Sequence, residues 1–189
     1  MVACELVRCA VQRHVDDLAR QSTPGFPYHF DANHAAAAID FFPACLCHSI
    51  GDFAGMPFYL EPWQAFAIAM IFGWKRDDDN SRRFRKVYWS MGRKNGKSSV
   101  GAGLSILLAS IDVNPTTGKP EAVAEVILSA TKRDQVEKVI YAEVERMRVR
   151  SPQIESISSR INKQITFKHN DGSIRCVGSD KPYDGLKKI

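Results

Sequence analysis

The segment Val87–Ser99 has the residue types and spacing that bind the phosphates of a nucleotide. A glycine-containing turn there precedes a run of small and apolar residues, so a tight loop would open into a helix. Such a loop exposes successive backbone N–H groups, and the helix adds the positive end of its dipole. Lys97 would reach the β- and γ-phosphates, Ser98 would place its hydroxyl on Mg²⁺, and Gly96 would let the backbone approach closely. The segment therefore predicts a site for ATP or a similar triphosphate with Mg²⁺.

This loop departs from the pattern G-x-x-x-x-G-K-[ST] at its first position, where Met91 stands and Gly92 follows one residue late. A Gly-Lys-Ser triplet alone is weak evidence, because it occurs by chance in unrelated loops. Its context is more specific. Arg85–Trp89 is rich in β-branched and aromatic residues, and Val100–Ala109 is typical of a buried helix. Strand, loop and helix thus occur in the required order, which favours phosphate binding over a basic turn that only caps a helix.

Three helices are predicted before this loop. Apolar residues recur at helical spacing from about Ala3 to Arg20, and Asp31 is placed to cap a second helix that runs to Phe42. Pro62 fits the first turn of a third helix that ends near Trp74. Two residues after that proline, the carboxamide of Gln64 offers both a donor and an acceptor, which matches the edge of an adenine, although such a residue is usually a surface glutamine.

The chain after the loop predicts a sheet covered by a helix. Ala122–Ala130 has the pattern of a buried strand, and Lys132–Arg150 has one apolar helical face that should cover the sheet. Ile165–Phe167 and Ile174–Gly178 flank a turn and predict a hairpin. The polar side of the long helix is expected to carry Glu137, Lys138, Glu143 and Arg146.

Composition bounds the class of protein. The 189 residues are 44% hydrophobic, which is enough for one substantial core, and the net charge of +5 is compatible with a polyanionic partner. No apolar run has the length of a membrane span, and the N-terminus lacks the pattern of an export signal. Five cysteines favour a reduced cytosol. Cys45-Leu46-Cys47-His48 lacks a second ligand pair, so half-buried small residues are favoured there over a zinc site.

Together these features resemble the N-terminal ATPase part of the large terminase subunit of tailed bacteriophages, the motor that packages DNA into proheads. The resemblance implies a P-loop NTPase fold of the ASCE-like α/β class, with a mainly parallel sheet flanked by helices. It also implies a helical N-terminal segment over residues 1–57 and a partial ATPase domain over residues 58–189. It rests on Ala36–Phe42, His48–Gly55, Pro57–Phe66, Gly92–Ser98, Ser129–Thr131, Gln135, Gly178–Asp180 and Asp184–Gly185.

The same resemblance implies roles for several residues. Loops of this family often lack the first glycine and carry an arginine at the position of Arg93, which is implied to contact the γ-phosphate. Gln64 would belong to an adenine-recognition motif, and Lys97 would act with Arg93 in catalysis. The residues implied to bind ATP are Gln64, Gly92, Arg93, Lys94, Asn95, Gly96, Lys97, Ser98 and Ser99, with Ser98 on Mg²⁺.

The implied partners are double-stranded DNA, a portal protein and a small terminase subunit, in the cytoplasm of a bacterial host and without a membrane. A homo-oligomeric ring is implied only for a full-length protein. Hydrolysis in this class needs an apolar strand that ends in Asp-Glu, and the sequence has no such strand. The chain is therefore expected to be the first part of a longer protein, lacking this strand and a nuclease domain, with little ATP turnover of its own.

Two alternatives remain open from the residues alone. One is a small P-loop phosphotransferase whose substrate domain is the helical N-terminus, although some ninety residues before the loop are unusual for that class. The other is a prophage remnant that binds DNA without catalysis. Its contacts would come from basic residues near the loop, namely Arg82, Arg83, Arg85, Lys86, Arg93 and Lys94.

Overall fold

The computed structural model describes residues 4–112, 118–130 and 136–178, and contacts divide the chain into two compact units. The first unit comprises the described residues up to Asp40 together with Leu60–Trp89. The second comprises Phe41–Tyr59 together with the described residues from Ser90 onward. The predicted domain boundary between residues 57 and 58 stays a prediction.

The first unit contains the three predicted helices and a short antiparallel sheet that the sequence did not indicate. Asp31 caps the second helix as predicted, because its carboxylate accepts a hydrogen bond from the His34 N–H at 2.9 Å. Pro62 occupies the first turn of the third helix. The elements are α1 (Glu5–Arg20), β1 (Tyr28–Phe30), α2 (Ala32–Cys45), α3 (Pro62–Gly73) and β2 (Trp74–Arg76), with the last residues of α2 assigned to the second unit.

A buried ion pair organises this first unit. The carboxylate of Asp17, on α1, is 3% exposed and lies 2.7 Å from the guanidinium of Arg83. That guanidinium lies 4.5 Å from the centre of the Tyr28 ring and 5.1 Å from that of Trp74, and the rings of Phe26 and Phe84 also face it. Asp17 is the one buried residue of α1, whereas the apolar residues Val7, Val11, Val15 and Leu18 of this helix are exposed.

The second unit is a four-stranded sheet with helices packed on it. Its strands are β3 (Glu125–Ala130), β4 (Ser158–Ile161), β5 (Gln164–Phe167) and β6 (Ser173–Gly178), in the spatial order β3-β6-β5-β4. β3 is parallel to β6, and the predicted hairpin of β5 and β6 is confirmed as an antiparallel pair. No helix in the described part of the chain is both long and apolar enough to cross a membrane. The helical elements are α4 (Lys97–Ser110), a π-helical turn (Glu137–Tyr141), α5 (Ala142–Arg150) and α6 (Pro152–Ile157).

Two predictions about strands are wrong. Arg85–Trp89 does not form a strand, and the side chain of Tyr88 is 94% exposed. A strand needs a neighbour that accepts and donates its backbone hydrogen bonds, and no described strand pairs with this segment. β3 forms as predicted but is only partly buried, with Leu128 as its one buried residue. β3 lies at one of the two edges of the described four-stranded sheet, so fewer neighbours cover it.

The helix before the last sheet strands differs from its predicted amphipathic pattern. Its prediction covered Lys132–Arg150; residues 131–135 lie outside the described part, and the rest is a π-helical turn followed by α5. Glu143 was expected on the polar face, and this expectation is wrong because the residue is 3% exposed. Val139, an apolar residue of the same predicted helix, is 48% exposed. The π turn takes more residues per turn than an α-helix and rotates the two faces relative to each other.

The C-terminal end of α4 is closed by the turn between β5 and β6. The Asn170 carboxamide donates to the carbonyl of Ala109 at 3.0 Å, and the His169 ring lies 2.7 Å from the carbonyl oxygen of Ser110. These carbonyls have no partner within the helix, so the turn satisfies them. Gly172 allows this close approach, since a Cβ there would lie 1.9 Å from the Ala109 carbonyl oxygen.

Replacing Gly172 with alanine should therefore destabilise the second unit. The clash is with backbone, which cannot rotate away, so we expect a loss of about 1–3 kcal/mol in the free energy of unfolding. Gly101→Ala is the matched control, because nothing lies within 4 Å of its Cβ position in α4. That substitution should stabilise the protein by about 0.5–1 kcal/mol. Urea unfolding of both variants measures the difference, and equal stability of the two would contradict the role of Gly172.

The first unit should lose stability in mild acid through His14. The indole N–H of Trp74 donates to Nδ1 of His14 at 3.2 Å, which requires an unprotonated nitrogen. Burial lowers the pKa of His14 from 6.5, partly opposed by Asp17 and assisted by Arg13. Below about pH 6.5 the unfolded chain binds more protons at His14 than the folded chain does. The contribution of His14 to the free energy of unfolding is therefore fully present above about pH 6.5 and is lost as the pH falls below it.

The test compares wild type with His14→Gln, whose carboxamide oxygen can accept the same hydrogen bond without titrating. Unfolding free energies measured between about pH 8 and about pH 5 should fall more steeply for wild type. Burial also lowers the pKa of His48, but that residue is common to both proteins and cancels in the comparison. Parallel pH profiles would show that His14 is not the titrating group.

Candidate functional site

The predicted phosphate loop lies in the second unit, directly before α4. Lys94 has φ of 67° and Gly96 has φ of 72°, so the chain turns twice through the left-handed region before α4 begins at Lys97. Glycine adopts this conformation readily, whereas Lys94 does so at a cost that is typical of functional turns. The helix start at Lys97 was predicted correctly from the sequence, whereas phosphate binding by the loop stays a prediction.

The charges around this loop suit an anion. The side chains of Arg93, Lys94 and Lys97 are exposed, and within the described residues neither Arg93 nor Lys97 forms a hydrogen bond or ion pair with a carboxylate. The Asn95 carboxamide donates to the Gly92 carbonyl at 3.4 Å and closes the turn. Three cations, a glycine turn and the N-terminus of a 14-residue helix fit a bound polyphosphate.

Gln64 lies in the first unit, where it has a local task that the sequence did not predict. Its carboxamide oxygen accepts a hydrogen bond from the backbone N–H of Glu61 at 3.0 Å, and the Glu61 side chain accepts one from the backbone N–H of Gln64. This capping box satisfies the first turn of α3. Gln64 is 4% exposed, so it is not the surface glutamine that such a residue usually is. Its neighbour Trp63 meets the ring of Trp89 edge-on, with ring centres 5.9 Å apart.

Glu143 is the residue of the second unit that sequence reasoning missed. Its buried carboxylate accepts hydrogen bonds from Ser99 at 2.9 Å, from Ser49 at 2.6 Å and from Arg146 at 2.9 Å. Burial raises the pKa of Glu143, but these three donors outweigh burial and hold it below the usual value. One signal was present in the sequence, since Glu143 stands four residues before the apolar Met147 and so shares its helical face.

The remaining predicted residues are placed as follows. Of the basic residues considered for DNA, Arg83 is committed to Asp17 and to the rings around it, whereas Arg85 and Lys86 are exposed. The described residues include no group of three or more side chains that could hold a metal ion, at Cys45–His48 or elsewhere. Thr131, Gln135, Asp180 and Asp184–Gly185, which contributed to the resemblance, lie outside the described residues.

Comparisons with known proteins agree on one family. A family model described as "Terminase large subunit, ATPase domain" matches residues 62–188. The crystal structure of the HK97 bacteriophage large terminase matches with a TM-score of 0.61 and 18% sequence identity, over 79% of this chain and 28% of that one. The comparison with curated proteins gives no match. This structural likeness confirms the predicted α/β fold of the P-loop type, and the chain spans little more than a quarter of the matched terminase.

Proposed function

The chain belongs to the family of terminase large-subunit ATPase domains, and on that premise we propose that it is the ATP-binding part of a DNA-packaging motor. The observation that carries the proposal is the loop at Gly92–Ser99. Its backbone turns at Lys94 and Gly96, it opens into the N-terminus of α4, and it presents exposed cations. Backbone N–H groups and a helix dipole directed at one place form a site that suits phosphate groups.

The proposed roles of Lys97 and Ser98 come from the phosphate-loop motif, and that of Arg93 comes from the resemblance to the terminase family. Lys97 contacts the β- and γ-phosphates of ATP, Ser98 contributes its hydroxyl to Mg²⁺, and Arg93 contacts the γ-phosphate. The amides of Gly92–Ser99 line the phosphates. Ser98 would hold Mg²⁺ at this site, where the ion would supply positive charge to offset that of the phosphates. The residues of this chain bind, orient and neutralise the triphosphate.

The partners and turnover are part of the same proposal. Double-stranded DNA, a portal protein and a small terminase subunit are the proposed partners, in the cytoplasm of a bacterial host, and a ring forms when the full-length protein is present. Hydrolysis requires a carboxylate that positions water, and the sequence has no Asp-Glu pair to supply one. ATP binding with little turnover is therefore expected of these residues alone.

Lys97→Ala tests the phosphate site. Removal of a charged group that contacts phosphate should weaken Mg·ATP binding at least about tenfold, since such hydrogen bonds contribute about 1.5–3 kcal/mol. Lys86→Ala, which removes another exposed lysine, is the matched control and should bind like wild type. Isothermal titration calorimetry measures both. A folded wild-type protein without affinity for ATP, or equal affinities of the two variants, would refute the proposal.

Gln64→Glu tests adenine recognition separately from helix capping. Glutamate keeps the oxygen that caps α3 and loses the N–H₂ donor that adenine N7 requires. We expect wild type to bind ATP more tightly than GTP and the variant to lose about tenfold or more of that preference. Gln153→Glu makes the same chemical change at an exposed site. Unchanged discrimination in the variant would limit Gln64 to its capping role, and a thermal melt verifies that the variant is folded.

A further inference from the structure

Three segments of the second unit meet at one buried carboxylate. Glu143 lies on α5, Ser99 lies in the first turn of α4, and Ser49 lies in the loop between α2 and Pro57. A buried carboxylate without donors is costly, so all three segments are stable only in the arrangement that supplies the donors. Hydrogen bonds to a charged group are also shorter and stronger than neutral ones. This junction of Glu143, Ser49 and Ser99 therefore restricts the position of each segment more than an ordinary apolar contact would.

Ser99 brings the effect of this junction to the phosphate loop. It follows Lys97 and Ser98 directly, in the same helical turn. The first turn of a helix has N–H groups without partners inside the helix, so its orientation depends on contacts made from outside. The Ser99 hydroxyl, 2.9 Å from Glu143, is such a contact. A shift of the turn by less than an ångström would move the amides and the lysine relative to the phosphates.

Ser49 brings a second segment to the same carboxylate. Residues 46–58 form a closed loop, in which the Phe58 N–H donates to the Leu46 carbonyl and the Gly55 N–H donates to the His48 carbonyl. This loop is fastened to the region after α5 at a second point, where the Cys47 N–H donates to the Ser151 hydroxyl at 2.9 Å. Hydrogen bonds within the loop and at two points outside it favour movement of the loop as one body. A displacement of the loop would therefore move Ser49 relative to Glu143.

We propose that Glu143 is a positioning residue for nucleotide binding, which holds the first turn of α4 through Ser99 and couples it to the 46–58 loop through Ser49. The part that concerns nucleotide rests on the proposed function. Glu143 contacts neither phosphate nor metal in this proposal. Its carboxylate orients Ser99, and the turn that contains Ser99 then presents Lys97 and Ser98.

Glu143→Gln is the principal test, with Glu145→Gln as its matched control. Both residues lie on α5 and pair with an arginine three residues later, but Glu145 makes its contacts with Arg148 and Arg160. In the nucleotide-free protein, hydrogen exchange of the amides of residues 100–103, the first ones bonded to carbonyls of the preceding turn, should accelerate in Glu143→Gln and not in Glu145→Gln. Affinity for Mg·ATP, measured by calorimetry, should fall about tenfold in the first variant only, equivalent to about 1.4 kcal/mol.

Ser49→Ala and Ser99→Ala separate positioning from general stability. Each should weaken Mg·ATP binding alone and add little to Glu143→Gln, because all three act through one junction. Ser49→Ala is also the milder variant should Glu143→Gln fail to fold. Variants that melt earlier but exchange and bind like the Glu145 control would overturn the inference. If wild type binds no ATP, the proposed function fails, and the exchange at residues 100–103 alone decides whether Glu143 holds the turn.

Discussion

A carboxylate placed away from water must be supplied with donors, and this constraint organises both units of the protein. In the first unit, Asp17 is paired with Arg83, and the rings that surround the guanidinium form the core. In the second unit, Glu143 receives hydrogen bonds from Ser49 and Ser99, which are far apart in sequence. Removing a donor from such a group weakens the compensation of a buried charge and is therefore destabilising. Each unit is therefore specified by a polar contact as well as by its apolar residues.

Features governed by neighbouring residues were predictable from the sequence. The cap at Asp31 and the proline at the start of α3 depend only on backbone groups a few residues away, and both were located correctly. The left-handed turn at Gly96 is likewise a local property of the loop. The starts of α3 and α4 followed from such local signals, whereas α2 continues past its predicted end at Phe42 to Cys45.

Features that depend on distant partners were not predictable in the same way. Arg85–Trp89 has the composition of a strand, yet strand formation requires a neighbour, and none of the described strands provides one. Glu143 looks like a surface charge until its donors at Ser49 and Ser99 are known. Gln64 combines a local and a distant role. Its part in the capping box involves only Glu61, three residues away, whereas recognition of a base depends on a bound ligand.

The helix that follows the phosphate loop shows why these distant contacts matter to the site. α4 contains Gly101 and Gly103, which weaken an isolated helix, and a Cβ at Gly103 would lie 2.5 Å from the ring of Phe42. Close packing against that ring thus takes precedence over helix propensity. A helix of this composition depends on what holds its ends, which are Glu143 at the first turn and Asn170 at the last carbonyls. The geometry of the loop is consequently a property of the whole second unit, and the short motif by itself does not determine it.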